Sequence, residues 1–335
     1  MTRSVTIHDV AGEAGVSIAT VSHTMNRPAR VSAETRARVL AAADKLGYVP
    51  ARTANGKAPT ARKQIGVVAP FRAYPSYAMR LGGVLDACEA ERIDVVVFDH
   101  PSASRSPSPR LSTLPLSASL DGLIVMGVPI DTGLGERLID RELPTVLVDS
   151  THPRFPSVVL DEAHGTRIAS EHLLARGFTR FVYVTEGQVS HDYIAQGTRR
   201  LSGFLHALAD RGIPEDHVTR ITARSGDVTA GRHAADAIAT FAREERVGVL
   251  AGHDTLAAGI LAGLRARRVA VPERVGVIGW DGGDTVEALG LTTVRQPLAE
   301  SGRIGARQLL ALLQDRAAPQ ERVLLTPDLV EGITT

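Results

Sequence analysis

Residues 5–50, VTIHDVAGEAGVSIATVSHTMNRPARVSAETRARVLAAADKLGYVP, spell three short helices with one shared apolar side. Thr6 is placed to cap the first, and Ile7, Val10, Ala11 and Ala14 fall on one face of it. Gly15 follows, where a positive φ carries little steric cost. Ser17 is an N-cap residue for the second helix, with Val16, Thr20, Val21 and Met25 at helical spacing. Ser32 opens the third, where Val39, Leu40, Ala43 and Leu46 form a stripe that Gly47 ends. Two short helices joined through Ala14-Gly15-Val16 read as a helix-turn-helix, whose second helix lies in a DNA major groove.

Charge points the same way. Residues 1–63 hold ten Lys/Arg against four Asp/Glu, which leaves +6; the other 28 against 33 leave −5. The near-neutral total of +1 therefore hides a basic head on an acidic body. Such a head attracts phosphates without regard to sequence, and the attraction falls steeply with salt. With one cysteine, Cys88, no intramolecular disulfide forms, which fits a reducing compartment. No apolar run approaches the ~18 residues of a membrane span, and no apolar signal region precedes the head. A cytoplasmic protein is expected.

The run from Thr6 to Asn26 follows the pattern T-I-x-D-V-A-x-x-A-G-V-S-x-x-T-V-S-x-x-x-N, and Val31–Val39 and Leu46–Pro50 extend it. On these residues the chain closely resembles the lactose repressor family (LacI/GalR) of transcriptional regulators. By position, the resemblance implies DNA contacts from Ile7, Ser17, Ile18, Ala19, Thr20, Ser22, His23, Asn26, Ser32 and Thr35. Ile18 and Ala19 stand at the two variable base-reading positions; lacking hydrogen-bonding groups, they suit apolar contact with a thymine methyl. The short hydroxyl and amide side chains of Ser17, Thr20, Ser22 and Asn26 suit phosphates, which position rather than specify. His23 replaces an arginine common there: it can donate to guanine, or simply lie near phosphate.

In the resembled family the linker becomes a hinge helix on operator DNA and wedges leucines into the minor groove. Here residues 51–63, ARTANGKAPTARK, align Ala54 with that element and put Lys57 at the wedge position. A hydrated ammonium cannot act as a dry wedge, and Gly56 lowers helix propensity by about 1 kcal/mol relative to alanine. A hinge that binds by charge and bends DNA less is one reading; a plain tether is the other.

From Ile65 onward, apolar runs alternate with helical patterns. Strands are expected over 65–69, 95–98, 123–126, 146–148, 181–184, 247–250 and 275–278, and helices over 76–91, 163–176, 195–211, 228–243, 254–267 and 298–314. Alternation of this kind predicts mainly parallel sheets. The run Val146-Leu147-Val148-Asp149, Asp161 with Gly165, Arg200-Leu201-Ser202-Gly203-Phe204, Gly279-Trp280-Asp281 and Leu291–Pro297 carry the resemblance through the body. The expected class is an N-terminal all-α helix-turn-helix head plus an α/β, two-lobed, periplasmic-binding-protein-like body with parallel sheets. The expected divisions are 1–50 for the DNA-binding head, 51–63 for the linker and 64–335 for effector binding and dimerisation. The lobes are expected as 64–162 with 292–322, and 163–291 with 323–335. Residues 101–119 carry four prolines, and an irregular loop is expected there in place of the family's helix.

In such a fold a ligand lies between lobes, at the carboxyl ends of strands. The resemblance implies an effector site from Phe71, Tyr74, Tyr77, Asp149, Arg200, His253, Trp280, Asp281 and Gln296. Carboxylates, amides and a guanidinium suit hydroxyl groups, and the aromatics suit a ring face. The expected effector is small, polar and sugar-like. His253 stands where the family has asparagine, so it either meets an anionic group or is structural; Trp280 either flanks the ligand or packs inside its lobe. A homodimer on near-palindromic operator DNA is expected, with no metal, no cofactor and no membrane partner. No phosphate-loop, nucleophile-elbow or zinc-protease motif is present, so an enzyme is not expected. A solute-binding protein or sugar-active enzyme on the same fold is the alternative reading.

Overall fold

The computed structural model describes residues 5–26, 30–46, 48, 63–102, 120–188 and 195–335. Ala54 and Lys57, and nearly all of the Ser/Pro-rich 101–119 stretch, lie outside the described residues, as does the side chain of Asn26.

The head contains α1 (Ile7–Ala14), α2 (Ile18–Asn26) and α3 (Ala33–Leu46). Gly15 ends α1 at φ 62°, the left-handed turn that glycine adopts freely. Ser17 Oγ accepts from the Thr20 amide at 3.1 Å, and Ser32 Oγ from the Thr35 amide at 3.3 Å, so both serines cap as expected. Thr6 works differently: its amide and hydroxyl both donate to the Asp9 carboxylate, at 2.8 and 2.7 Å. Val10, Ala11, Ala14, Val21, Val39, Leu40 and Ala43 close the core as the periodicity predicts, with Ile7, Val16, Met25 and Leu46 packed at its margin. Tyr48 and Ala42 also join it.

The described chain parts into two compact units, 1–70 with 84–157 and 303–321, and 71–83 with 158–302 and 322–335. In the first, β1 (Gln64–Ala69) pairs in parallel with β2 (Asp94–Asp99) on one side and β3 (Gly122–Met126) on the other; β3 pairs in turn with β4 (Thr145–Val148). Helix α4 (Pro75–Ala90) follows β1, and its first residues belong to the second unit. Helix α5 (Thr132–Asp140), capped by Asp131, was not expected from periodicity. Cys88 is buried in α4, and burial pushes its thiol up to about 11, which leaves it protonated and inert. The head belongs to this unit: Arg141, just beyond α5, donates to the Asp44 carboxylate at 3.2 Å and to the Tyr48 carbonyl at 3.0 Å.

The chain passes between units within β5 (Ser157–Leu160) and again at β11 (Arg322–Leu325). The second unit holds α6 (Glu162–Ala175), β6 (Arg180–Glu186), α7 (Gln196–Ala209), β7 (Val218–Ala223), α8 (Val228–Phe241), β8 (Val247–Ala251), α9 (Asp254–Ala266), β9 (Val275–Asp281), α10 (Thr285–Leu289), β10 (Thr292–Arg295) and β12 (Asp328–Val330). Helix α11 (Leu298–Gln314) begins here and ends in the first unit. The sheet order is β12-β10-β9-β8-β6-β7, parallel except for β12. One core, around Val182, Val249, Val277 and Ile260, lies on the side of α8 and α9. Another, around Phe181, Tyr183, Phe204 and Trp280, lies on the side of α6 and α7. Parallel order places the carboxyl ends of β6, β8, β9 and β10 along one edge of the sheet.

Candidate functional site

In the head, Val21 and Thr24 turn inward, which leaves the opposite side of α2 to solvent. Ser17, Ile18, Ala19 and His23 are exposed there, with Thr20 and Ser22 half-buried beside them. Ile18 keeps 42% of its surface exposed, unusual for isoleucine in a small head with its own core. Ser32 is exposed and Thr35 half-buried at the start of α3. Ile7 is half-buried and packs against the core of the head.

The second unit gathers eight of the nine effector candidates, and Asp149 belongs to the first. His253 immediately follows β8 and Gly252, Trp280 and Asp281 end β9, and Gln296 follows β10. Arg200 sits in the first turns of α7, which follows β6. Phe71 and Tyr74 come from the turn that enters α4, and Tyr77 from the first turn of that helix.

Arg200 is buried and its guanidinium is fully engaged on one side. Nε and Nη2 donate to the two carboxylate oxygens of Glu162, at 2.8 and 3.1 Å, and Nη1 donates to the Gly252 carbonyl at 2.7 Å. Its Cζ lies over the Trp280 ring, 4.5 Å from the ring centre, a cation–π contact that a delocalised guanidinium favours. Burial works against the charge, but the Glu162 carboxylate more than offsets it and holds the Arg200 pKa above its ordinary value. Trp280 is 1% exposed and is seated against Gly165, where a Cβ would come within 2.6 Å of its ring. Its Nε1 is buried without a hydrogen-bond partner among the described residues.

His253 is also buried, with its ring edge-on to Tyr74 at 5.9 Å and close against Gly226. Its Nε2 has no partner among the described residues. Burial, reinforced by the Arg200 charge, depresses its pKa to about 4, so the ring is neutral near pH 7. An unfolded histidine titrates near 6.5; between these values the unfolded chain binds the extra proton. The stability His253 permits is therefore whole above about pH 6.5 and declines as pH falls toward 4, by roughly 3 kcal/mol over the window. His253→Gln should flatten that part of the stability–pH curve in urea titrations; a curve identical to wild type would refute the neutral ring.

Asp281 and Asp149 share a signature. Each ends or follows a strand at positive φ, 122° and 60°, where a side chain with a Cβ is strained. Strain of this kind persists where the surroundings over-determine it, and it concentrates at functional sites. Asp281 Oδ1 accepts from Gln296 Nε2 at 2.5 Å, and Gln296 Oε1 accepts from Arg80 Nη2 at 3.3 Å. Arg80 also donates to Ser301 Oγ at 2.7 Å and lies over the Tyr77 ring at 5.6 Å. The neighbouring Asp254 is spoken for: it accepts from the Gly282 and Gly283 amides and the Thr293 hydroxyl, holding the turn after β9.

Sequence reasoning missed Arg80, Glu162 and Glu186. Arg80 is 1% exposed, and its one signal is a lone arginine in the apolar run of α4. Glu162 adjoins the quoted Asp161 but carries no motif of its own. Glu186 ends β6, and burial pushes its carboxyl up to about 7. Among the described residues no group of three or more His, Cys, Asp or Glu is placed to hold a metal, and no helix is long and apolar enough to cross a membrane.

A helix-turn-helix head joined to an α/β body, with polar and aromatic side chains at its strands' carboxyl ends, defines a DNA-binding transcription regulator built on a periplasmic-binding-protein-like body. Residues 6–51 match the model of bacterial regulatory proteins of the lacI family, and residues 170–335 match the periplasmic binding protein-like domain. The chain is 30% identical over 337 residues to the HTH-type transcriptional repressor PurR of Erwinia tasmaniensis, covering 97% of this chain and 95% of that one. The structure of the Lac repressor dimer bound to operator and the anti-inducer ONPF superposes with a TM-score of 0.71 at 26% identity, over 99% of each chain. The complex of the transcriptional regulator CelR with cellobiose does so at 0.69 and 26%, over 99% of this chain and 100% of that one. This chain belongs to the LacI family of transcriptional regulators.

Proposed function

We propose that the chain is a repressor whose hold on operator DNA is controlled by a small, polar, sugar-like effector. The observation that carries this reading is the joining, in one chain, of an exposed Ile18–Ala19–His23 surface and the Tyr74–Arg200–His253–Trp280–Asp281–Gln296 cluster. The relatives support it: one binds operator with an anti-inducer, another cellobiose. In this reading residues 1–50 read DNA and 51–63 join the head to the body. Residues 64–335 bind effector and a second copy of the chain, Asp149 completes the effector set, and the homodimer acts in the cytoplasm on near-palindromic DNA. The effector acts only through its different affinities for the DNA-competent and DNA-released arrangements.

Electrophoretic shift of DNA from upstream of the chain's own gene, at fixed salt and with a panel of sugars, tests the reading. Specific binding that one sugar releases is the expected result. Binding that no compound alters would remove the effector half of the proposal, and absence of specific binding would remove the DNA half.

A further inference from the structure

The arginine at the centre of the cluster is not a spare positive charge. Glu162, the first residue of α6, takes both the Nε and one Nη edge of Arg200, with 13% of the carboxylate side chain and 8% of the arginine side chain exposed. Buried, bidentate and side-on, this pairing cancels the guanidinium charge while leaving hydrogen-bond donors on the remaining Nη protons. The named groups around it leave no net positive charge. His253 is neutral and presents a ring nitrogen without a partner among the described residues. Asp281 brings a second carboxylate, linked through Gln296 to Arg80. The two arginines named here are thus matched by the carboxylates of Glu162 and Asp281. An anionic ligand arriving at this set would meet the half-buried carboxylates of Glu162 and Asp281, with the Arg200 charge already taken up by Glu162, so it would gain no net attraction while like charges lie close in a medium less screening than water. An uncharged polyol would meet donors, acceptors and ring faces at no such penalty.

We infer that Glu162 sets the charge class of the effector: by holding Arg200 in a closed ion pair, it makes the site select uncharged hydroxyl-bearing compounds over their phosphorylated or carboxylated counterparts. This inference rests on the effector-site reading above and names the chemistry of that site.

Trp280 is the only tryptophan of the chain and lies beneath Arg200, so its fluorescence reports the site directly. The test titrates the full-length protein with glucose, ribose and cellobiose, with glucose 6-phosphate, ribose 5-phosphate and glucuronate, and with sulfate, all at matched ionic strength. Wild type should respond saturably to a neutral sugar, at least about tenfold more tightly than to its charged counterpart, and not to sulfate. Glu162→Gln should move that ratio about tenfold or more toward the anion and create a sulfate response. The double variant Glu162→Gln/Arg200→Gln, which removes both charges together, should lose the sulfate response again, separating charge from a folding defect. Tighter binding of a phosphorylated or carboxylated sugar by wild type overturns the inference, as does a ratio unchanged in Glu162→Gln. If no sugar of either class perturbs Trp280 in wild type, the effector reading falls. Sulfate then still decides the charge statement: a response confined to Glu162→Gln upholds it, and none overturns it.

Discussion

Arg200→Ala is expected to cost about 3 kcal/mol of stability, because it leaves the largely enclosed Glu162 carboxylate, 13% exposed, without its partner. The Glu162 oxygens accept from Arg200 at 2.8 and 3.1 Å, and the Gly252 carbonyl at the end of β8 loses its donor at 2.7 Å. Trp280 also loses the cation over its face. Each loss has a different origin: unpaired charge, unmet acceptor, lost packing against an aromatic ring. The unpaired charge dominates, since desolvating an ion without its partner outweighs any single neutral hydrogen bond. Urea unfolding followed by Trp280 emission measures the effect. The double replacement Arg200→Met/Glu162→Met should recover most of the loss, because removing both charges also removes their desolvation. A single variant within about 1 kcal/mol of wild type would mean that the pair behaves as a surface ion pair.

The second large effect is expected at Gly259. Helices α8 and α9 cross there with backbone against backbone. A Cβ on Gly259 would stand 2.2 Å from the Val228 carbonyl oxygen and 2.8 Å from the Gly231 Cα, and one on Gly231 would stand 2.3 Å from the Leu256 carbonyl oxygen. No flexible side chain can yield at these contacts, so Gly259→Leu must force the helices apart. Such overpacking costs about 1–3 kcal/mol, occasionally more, and backbone obstacles on the partner helix place this variant at the upper end or beyond. Gly82 in α4 is the control: a Cβ there meets nothing within 4 Å. Gly82→Ala should therefore be neutral, or stabilising by up to about 1 kcal/mol through helix propensity. Thermal unfolding of the two variants separates a packing effect from the general cost of altering a helical glycine; equal melting temperatures would sink the argument.

The head was legible almost residue by residue, because a three-helix unit with a small core writes its structure into local spacing. Val10, Val21 and Leu40 have 3.6-residue neighbours that share their side, and Gly15 and Ser17 mark the turn between helices. The body was legible where strands are buried on both faces. Val247–Ala251 and Gly122–Met126 are continuous apolar runs, as central parallel strands must be. Other strands were not: Val218–Ala223 alternates with threonine and arginine, and Ser157–Leu160, Thr292–Arg295, Arg322–Leu325 and Asp328–Val330 are three or four residues long, too few for a strand period to stand out. Helix α5 was missed for a similar reason, since Thr-Gly-Leu-Gly opens it with residues of low helix propensity and only the Asp131 cap and its packing secure it.

By itself the sequence determined which parts the chain is made of: a basic helix-turn-helix head, an acidic α/β body, and the aspartate, arginine and aromatic positions at strand ends. Those follow from periodicity, caps and residue type, which are local properties. What only the tertiary structure decided is the state of each candidate. Glu162 closes on Arg200 from 38 positions away, Arg80 reaches Gln296 and Ser301 across more than 200, and His253 is kept neutral by burial that no neighbour in sequence supplies. Charge, protonation and strain depend on desolvation and on partners brought together by packing. The chemical character of the site therefore became visible only once the sheet had placed its strand ends side by side.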